Sequence, residues 1–315
     1  MTHRRGGFKQ QILRFGLHRN RRFPNNRLGA GGTGVADSGR NTGEGYGLIT
    51  PTLVVMGLLL VAPLALMTLT SLKGEQGWTL AQYGAVLGEA SYRALFLRSV
   101  VISGLVTIAT VCLAYPMAYF VAFQAGRAKF AWLIALTIPF WTSYLLRVFA
   151  WKIILGYGGV INSALLSLHL IGQPLGALLY NPFSVVVTLT HAWAAFAILP
   201  IYVSLEKIDP SLLEAATDLG DGPLRRFLRI TLPLSLPGVI GAAVLIFVPT
   251  TGDYVTPALV GGTGGTMIAN LIEVQFNGVG NWPLGAALSL VSIVMVAVIA
   301  GLFVTAARTA ARAVR

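Results

Sequence analysis

The sequence predicts an all-α, polytopic membrane protein with six transmembrane helices, on three observations. Of 315 residues, 55% are hydrophobic and only 11% charged, against about 25% charged in a soluble domain. Six apolar stretches are each long enough to cross about 30 Å of hydrocarbon. The basic residues are distributed as a membrane protein of fixed orientation requires.

The chain opens on a basic segment. Residues 1–45 hold nine Lys/Arg against Asp37 and Glu44, with frequent Gly and Asn and no apolar run. This predicts a disordered basic tail. A secretory signal peptide does not fit, because the first long apolar run begins near Gly47 and lacks a small-residue cleavage pattern. The charge suits anionic membrane lipid as a partner better than nucleic acid.

The spans fall near 48–71, 99–123, 130–150, 183–204, 235–257 and 285–307. With the tail inside, the inner segments carry nine Lys/Arg in the tail, two in 124–129, four in 205–234 and three at the C-terminus, eighteen of 23. Both termini are therefore expected to be cytoplasmic. The domain reading is a tail at 1–45, a transmembrane domain at 46–307 containing a cytoplasmic loop at 205–234, and a basic C-terminus at 308–315. Pro63, Pro116, Pro139, Pro200 and Pro249 lie within or at the ends of spans. Neighbouring helices can satisfy the freed carbonyls, so these read as static kinks or as points of bending. In the outer loop near 151–182, Asn162 or Ser163 is a candidate cap for a short helix on the membrane surface. Such a helix could receive a soluble partner or simply seal the bundle.

The inner loop at 205–234 has the most specific pattern. Asp209 is a good N-cap and Pro210 suits the first helical position. Leu212, Leu213, Ala216 and Leu219 recur on one helical face, and Gly220 stands where a left-handed stop is wanted. Asp221 could cap a second short helix carrying Arg225, Arg226 and Arg229. The result is a helix–turn–helix with Ala215 and Ala216 in mid-helix, where another surface can come close. Packing on the chain's own spans is the plainer alternative.

Residues Glu214-Ala215-Ala216, three on to Gly220, nine more to Ile230, then Leu232-Pro233, resemble the cytoplasmic-loop signature of membrane permeases in binding-protein-dependent ABC importers. That resemblance implies a six-helix ABC importer permease in the bacterial inner membrane. Its expected partners are two copies of an ATP-binding subunit, a second permease subunit and an extracytoplasmic solute-binding protein. Glu214, Ala215, Ala216, Asp218, Gly220, Arg225 and Arg226 would form the ATPase-coupling element. Pro139 to Arg147, Gly252-Asp253-Tyr254-Val255 with Gly261-Gly262, and Asn281-Trp282-Pro283 resemble the spermidine/putrescine (polyamine) subfamily. The polyamine resemblance implies that the second permease is a different chain. The subfamily also includes permeases for opines and other small solutes.

No catalysis or cofactor is expected of this chain. None of the five lysines precedes Ser or Thr, so no Walker A loop is present. The four histidines are scattered without metal spacing, and no Gly-x-Ser-x-Gly elbow occurs. His191, inside a span, reads as a hydrogen-bonding group between helices or as a ligand contact. The single cysteine, Cys112, permits no intrachain disulfide. A secondary transporter would need inverted repeats and ion-coupling carboxylates. A polytopic membrane enzyme would need a cluster of His, Asp or Glu near one face.

Asp253 is the only carboxylate within the six expected spans. A carboxylate there is costly unless it faces a pathway or a partner. It could contact substrate or pair with Arg147. A polyammonium cargo would want a carboxylate with ring faces for cation–π attraction. The candidate pathway is therefore Asp253, Tyr254, Trp141, Tyr144, Glu273 and Trp282. An interfacial aromatic belt explains Trp151 and Trp282 as well. An oxyanion would instead use cationic donors, here Arg147 and Lys152.

Overall fold

The computed structural model describes residues 42–74 and 77–313. The predicted tail lies outside them, except that its last four residues already belong to helix α1, Thr42–Ser71. The chain divides between Met56 and Gly57 into two units. Of the first, only the start of α1 is described, and the second carries every other element.

Two-residue strands β1 (Lys73–Gly74) and β2 (Gly77–Trp78) pair antiparallel, Lys73 opposite Trp78. Helices α2 (Ala81–Gly88) and α3 (Ala90–Phe123) follow. Next come α4 (Lys129–Thr137), a 3₁₀ turn at Ile138–Trp141, and α5 (Tyr144–Ile154). Helix α6 (Val160–Ser167) leads to the long α7 (Pro182–Glu206). Helix α8 (Pro210–Asp218) precedes α9 (Pro223–Arg226), a π-helical turn at Phe227–Thr231 and α10 (Leu232–Thr251). A second π turn at Pro257–Gly261 runs into α11 (Gly262–Gly265). Helix α12 (Ile268–Glu273), a third π turn at Val274–Val279 and α13 (Trp282–Ala313) complete the chain.

Among the described residues, five helical stretches are long and apolar enough to cross a membrane: Thr50–Ser71, Ala90–Phe123, Pro182–Glu206, Pro223–Thr251 and Trp282–Ala306. Counting α4 and α5 as one span makes six. Those two helices are bent by 84°, so the expected third span is not continuous. Pro139 removes a backbone donor there, and Thr142 and Ser143 are extended, with ψ of 151° and 134°.

The expected fifth span, 235–257, is displaced. The helical stretch that carries it starts at Pro223 and stops at Thr251, so residues 223–234 of the expected loop are helical and continuous with it. Hydropathy missed its first turns because Arg225, Arg226 and Arg229 sit on them. Asp253 accordingly lies two residues beyond α10, not inside a span. The second span begins at Ala90 rather than 99, and Arg98 is accommodated by donating to the Thr263 carbonyl at 3.0 Å.

Helices α3, α7 and α10 form the core. In lipid, helices associate through close packing and hydrogen bonds rather than through hydrophobic burial. The inner face of α3 shows this: Ser99, Ser103, Thr107, Thr110, Ala114, Ala118 and Ala122 are all buried. Thr251 donates to Ser103 at 3.1 Å, and the Ile268 amide donates to Ser99 at 2.7 Å. Gly238 sets the approach of α10 to α7. A Cβ there would lie 2.4 Å from the Ser204 side chain and 2.5 Å from the Pro200 carbonyl. A smaller cluster joins α2, α12 and α13 through Val86, Ile268, Leu284 and Leu288. Within α1, Leu58, Leu59, Leu60 and Leu66 stay exposed, as on a membrane-facing helix.

The short helix expected in the 151–182 loop exists as α6, but neither predicted residue caps it. Gly159 is its N-cap. Asn162 is fully buried instead, donating to the carbonyls of Gly156 and Leu175 and accepting from the Leu175 amide.

Candidate functional site

Two places gather the sequence-predicted residues. The first is the α8–α9 turn. Asp209 accepts a hydrogen bond from the Ser211 amide at 2.9 Å, which caps α8 and holds the Asp209 carboxyl below its ordinary range. Pro210 occupies the first turn. The helix ends as the sequence requires. Gly220 has φ +86°, its amide bonds the Thr217 carbonyl, and the Asp221 amide bonds the Ala216 carbonyl, both at 2.9 Å. This pair of bonds is a Schellman closure, which needs a left-handed residue where Gly220 stands. An added Cβ would meet nothing, so conformation rather than space selects glycine.

The expected single apolar face splits in two. Ala216 is buried and Leu213 half-buried, whereas Leu212 and Leu219 face outward, Leu219 at 88% exposure. Ala215 is exposed beside them, so Leu212, Ala215 and Leu219 form an outward apolar strip at i, i+3, i+7 spacing. Glu214 and Asp218 are exposed and line a cavity of about 380 Å³ with Thr217, Arg226, Tyr119 and Phe123.

Arg226, expected to contact a partner, donates to the Thr217 hydroxyl at 2.9 Å within the turn, in an exposed contact. Arg225 is exposed. Asp221 does not cap the second helix; Gly222 does, and Asp221 instead pairs with Arg229 at 3.5 Å. Beneath the turn, Phe227 meets Tyr115 and Tyr119 edge-on, with centroids 5.7 and 6.3 Å apart. The Tyr115 hydroxyl lies 2.8 Å from that of Ser235. The turn is thus tied to α3 and α10 by rings and hydroxyls that the sequence reading did not single out.

The second place is a cavity of about 350 Å³ lined by Phe140, Tyr144, Arg147, Trp193, Phe196 and Asp253, with Ala192 and Pro249. It lies where α5 begins, α10 ends and α7 passes midway. Asp253 accepts from the Tyr144 hydroxyl through one oxygen. Its other oxygen accepts from the amides of Val255 and Thr256, at 2.9 and 3.3 Å. The carboxylate is therefore also the cap of the helical segment that follows. The Tyr144 hydroxyl also lies 2.6 Å from that of Thr256.

Four rings surround it. Phe140 meets Phe196 at 4.1 Å, Trp193 meets Phe196 at 5.3 Å, and Tyr144 meets Trp193 at 6.4 Å between centroids. The possible Arg147–Asp253 ion pair is not formed. Arg147 donates to the Ala192 carbonyl at 3.1 Å and lies over the rings of Phe140 and Tyr144.

The remaining pathway candidates are not brought here. Tyr254 and Glu273 line a separate groove of about 680 Å³ between α10, α12 and α13. Trp141 is 85% exposed. Trp282 is exposed and meets Phe276 edge-on at 5.4 Å. His191 makes no hydrogen bond to another helix among the described residues; its ring meets Trp151 at 5.6 Å. Trp193 and Phe196 went unnoticed in the sequence, although their i, i+3 spacing places them on one helical face. Among the described residues no three His, Cys, Asp or Glu side chains converge as a metal site would need.

Comparison with known proteins fits this architecture. A family model described as binding-protein-dependent transport system inner membrane component matches residues 46–314. The chain is 37% identical over 219 residues to spermidine/putrescine transport system permease protein PotB of Escherichia coli (strain K12), covering 69% of this chain and 79% of that protein. It is 34% identical over 232 residues to inner membrane ABC transporter permease protein YdcU of the same organism, covering 70% and 73%. In fold it is similar to a chain in the crystal structure of a bacterial alginate ABC transporter in complex with alginate pentasaccharide-bound periplasmic protein. There the TM-score is 0.70 at 15% identity, covering 86% of this chain and 96% of the other. The chain belongs to the binding-protein-dependent transport system inner membrane components and is a multi-pass inner-membrane permease subunit of an ABC importer.

Proposed function

We propose that this permease carries polyamines of the spermidine/putrescine class inward, driven by ATP hydrolysis on separate subunits. One observation carries the reading of cargo: a carboxylate, Asp253, in a cavity walled by four aromatic rings, the pairing an organic ammonium seeks. The similarity to PotB, whose name gives that cargo, supports it. An extracytoplasmic binding protein hands the cargo over. A second, different permease chain completes the pathway.

The Leu212, Ala215 and Leu219 strip docks on an ATP-binding subunit, one of two copies, with Glu214, Asp218 and Arg225 at its edge. Arg226 and Gly220 hold the element in shape. The positive-inside distribution of Lys/Arg supports the orientation this needs, with α8 and both termini cytoplasmic. When the ATPases close, α8 moves with the turn behind it, and the Phe227 ring contacts pass the motion to α3.

The test is uptake of labelled spermidine and putrescine in cells lacking this gene, complemented with wild type or Asp253→Asn. Restoration by wild type, and not by an Asn variant present in the membrane at normal amount, is expected. No dependence on the gene would remove the polyamine reading. A second reading, an opine, is favoured by two buried donors in the cavity without a partner, Arg147 Nε and Trp193 Nε1, which suit a cargo bearing a carboxylate. Competition of putrescine uptake by an opine separates the two.

A further inference from the structure

Two helices are interrupted at one place in the bundle. The third span breaks at Thr142 and Ser143, and α10 stops at Thr251. Each break delivers one residue, Tyr144 and Asp253, into the same cavity.

That cavity already holds a cation. The Arg147 guanidinium carbon is 5.1 Å from the centroid of Phe140 and 6.0 Å from that of Tyr144, within the range of cation–π attraction. These ring faces are the ones a cargo ammonium would use. The guanidinium is lightly held, however. It has five N–H donors, yet its single hydrogen bond goes to the Ala192 carbonyl, and Nε is buried without a partner. It forms no ion pair with Asp253, whose oxygens are engaged by the Tyr144 hydroxyl and two backbone amides. A buried donor left unsatisfied lowers the cost of leaving. The anion, by contrast, is fixed in place by three donors. The site pairs a fixed carboxylate with a replaceable cation.

We propose that Arg147 is a tethered stand-in for the cargo's own cation, occupying the ring faces of Phe140 and Tyr144 until an ammonium group displaces it. The inference rests on the organic-cation reading above and adds a residue that sets specificity. Exchanging one cation for another over the same rings is nearly neutral, so a monoamine gains little by displacing Arg147. A diamine or polyamine brings a second charge. The groove lined by Gly252 and Tyr254, the residues flanking Asp253, also carries Glu273 and offers a carboxylate for that second ammonium. Arg147 thus favours cargo with two or more separated charges.

The test uses the complete transporter in cells lacking other polyamine uptake, with membrane amounts of the permease checked by immunoblot. Labelled putrescine uptake is measured for wild type, Arg147→Gln and Arg147→Lys, with n-butylamine as competitor. Arg147→Gln is expected to lower KM for putrescine, by about tenfold if the open cavity is about one-tenth populated in wild type. n-Butylamine should inhibit this variant and not wild type. Arg147→Lys keeps the charge but loses the flat stacking face, so it should shift both measures the same way by about twofold. It carries the test if the Gln variant does not reach the membrane. An unchanged or raised KM, or a fall in Vmax without a change in selectivity, would overturn the role of Arg147. Wild type failing to take up putrescine or spermidine would overturn the organic-cation reading, and this inference with it.

Discussion

One short stretch, residues 209–229, builds the α8–α9 turn, whereas the Asp253 cavity draws on three separate parts of the chain. Tyr144 and Asp253 are 109 residues apart and meet through one hydrogen bond. In the turn, the polar contacts join near neighbours, Asp209 with Ser211, Gly220 with Thr217 and Arg226 with Thr217, while Phe227 reaches Tyr115 and Tyr119 of α3. Its geometry follows from local rules of capping and backbone conformation. The cavity follows a local rule only where Asp253 caps the next helical segment, and it exists only once α5, α7 and α10 have packed. A docking element specified locally can keep its shape while the helices beneath it tilt. A site assembled from several helices must change when they do.

Substitutions can break this contrast, and the largest effect is expected at Gly220. Proline cannot adopt φ +86°, so Gly220→Pro should abolish uptake while the permease still inserts. Normal uptake together with retained ATPase association would remove the coupling role. The neighbouring alanines sharpen the point. Ala215→Trp, on the exposed side, should block ATPase association without lowering the thermal stability of the isolated permease. Ala216→Trp, on the buried side, should lower that stability as well, measured as Tm in detergent.

Gly238→Leu comes next. It drives a side chain into the Pro200 carbonyl and Ser204, a case of overpacking that costs about 1–3 kcal/mol. A matching fall in Tm is expected, with α8 as protected from hydrogen exchange as in wild type. Loss of that protection would show that the turn depends on the bundle after all.

Tyr144→Phe removes one of three donors to Asp253, at about 1–3 kcal/mol for a buried acceptor left short. Putrescine KM should change while ATPase association does not. The smallest effect is at Asp209, which is exposed. Its carboxyl is held below the ordinary range by the Ser211 amide. That contribution is complete above the usual value, about 4, and is lost as pH falls through the lowered one. Exchange protection in α8 should therefore hold from neutral pH to about 4 and then drop. In Asp209→Ala it should be weaker throughout and insensitive to pH in this range.

How much was readable in advance follows the same contrast. The helix–turn–helix was legible because Asp209-Pro210 and Gly220 announce their own conformations. The spans were legible as apolar runs, but their inner faces were not, because hydropathy is nearly uniform around a helix that faces lipid. Side-chain size carries that information instead: Ser99, Ser103, Thr107, Thr110, Ala114, Ala118 and Ala122 mark the buried face of α3. In the cavity, Asp253, Tyr144 and Arg147 could be named from the chain. That Tyr144 rather than Arg147 engages the carboxylate depends on the 84° bend between α4 and α5. Trp193 and Phe196 entered by the same route, through packing of α7 against that bend. The Arg226 bond to Thr217 was not legible, because nothing in the local sequence shows that the turn brings these two side chains together.

The π-helical turn at Phe227–Thr231 lies between the arginine-bearing start of the fifth span and its membrane portion. A regular helix turns through about 100° per residue, and a π bulge, by widening one turn, takes up one extra residue without rotating the helix before it by that angle. Azimuth is thereby decoupled from sequence position. Deleting a single residue between 228 and 231 would return the turn to a regular α-helix and leave Arg225 and the attached α8 at nearly the same azimuth, with the register of α10 against α3 and α7 untouched. The compass direction in which the apolar strip of α8 points is thereby buffered against a change of one residue in that turn, while Phe227 within it holds the turn to Tyr115 and Tyr119.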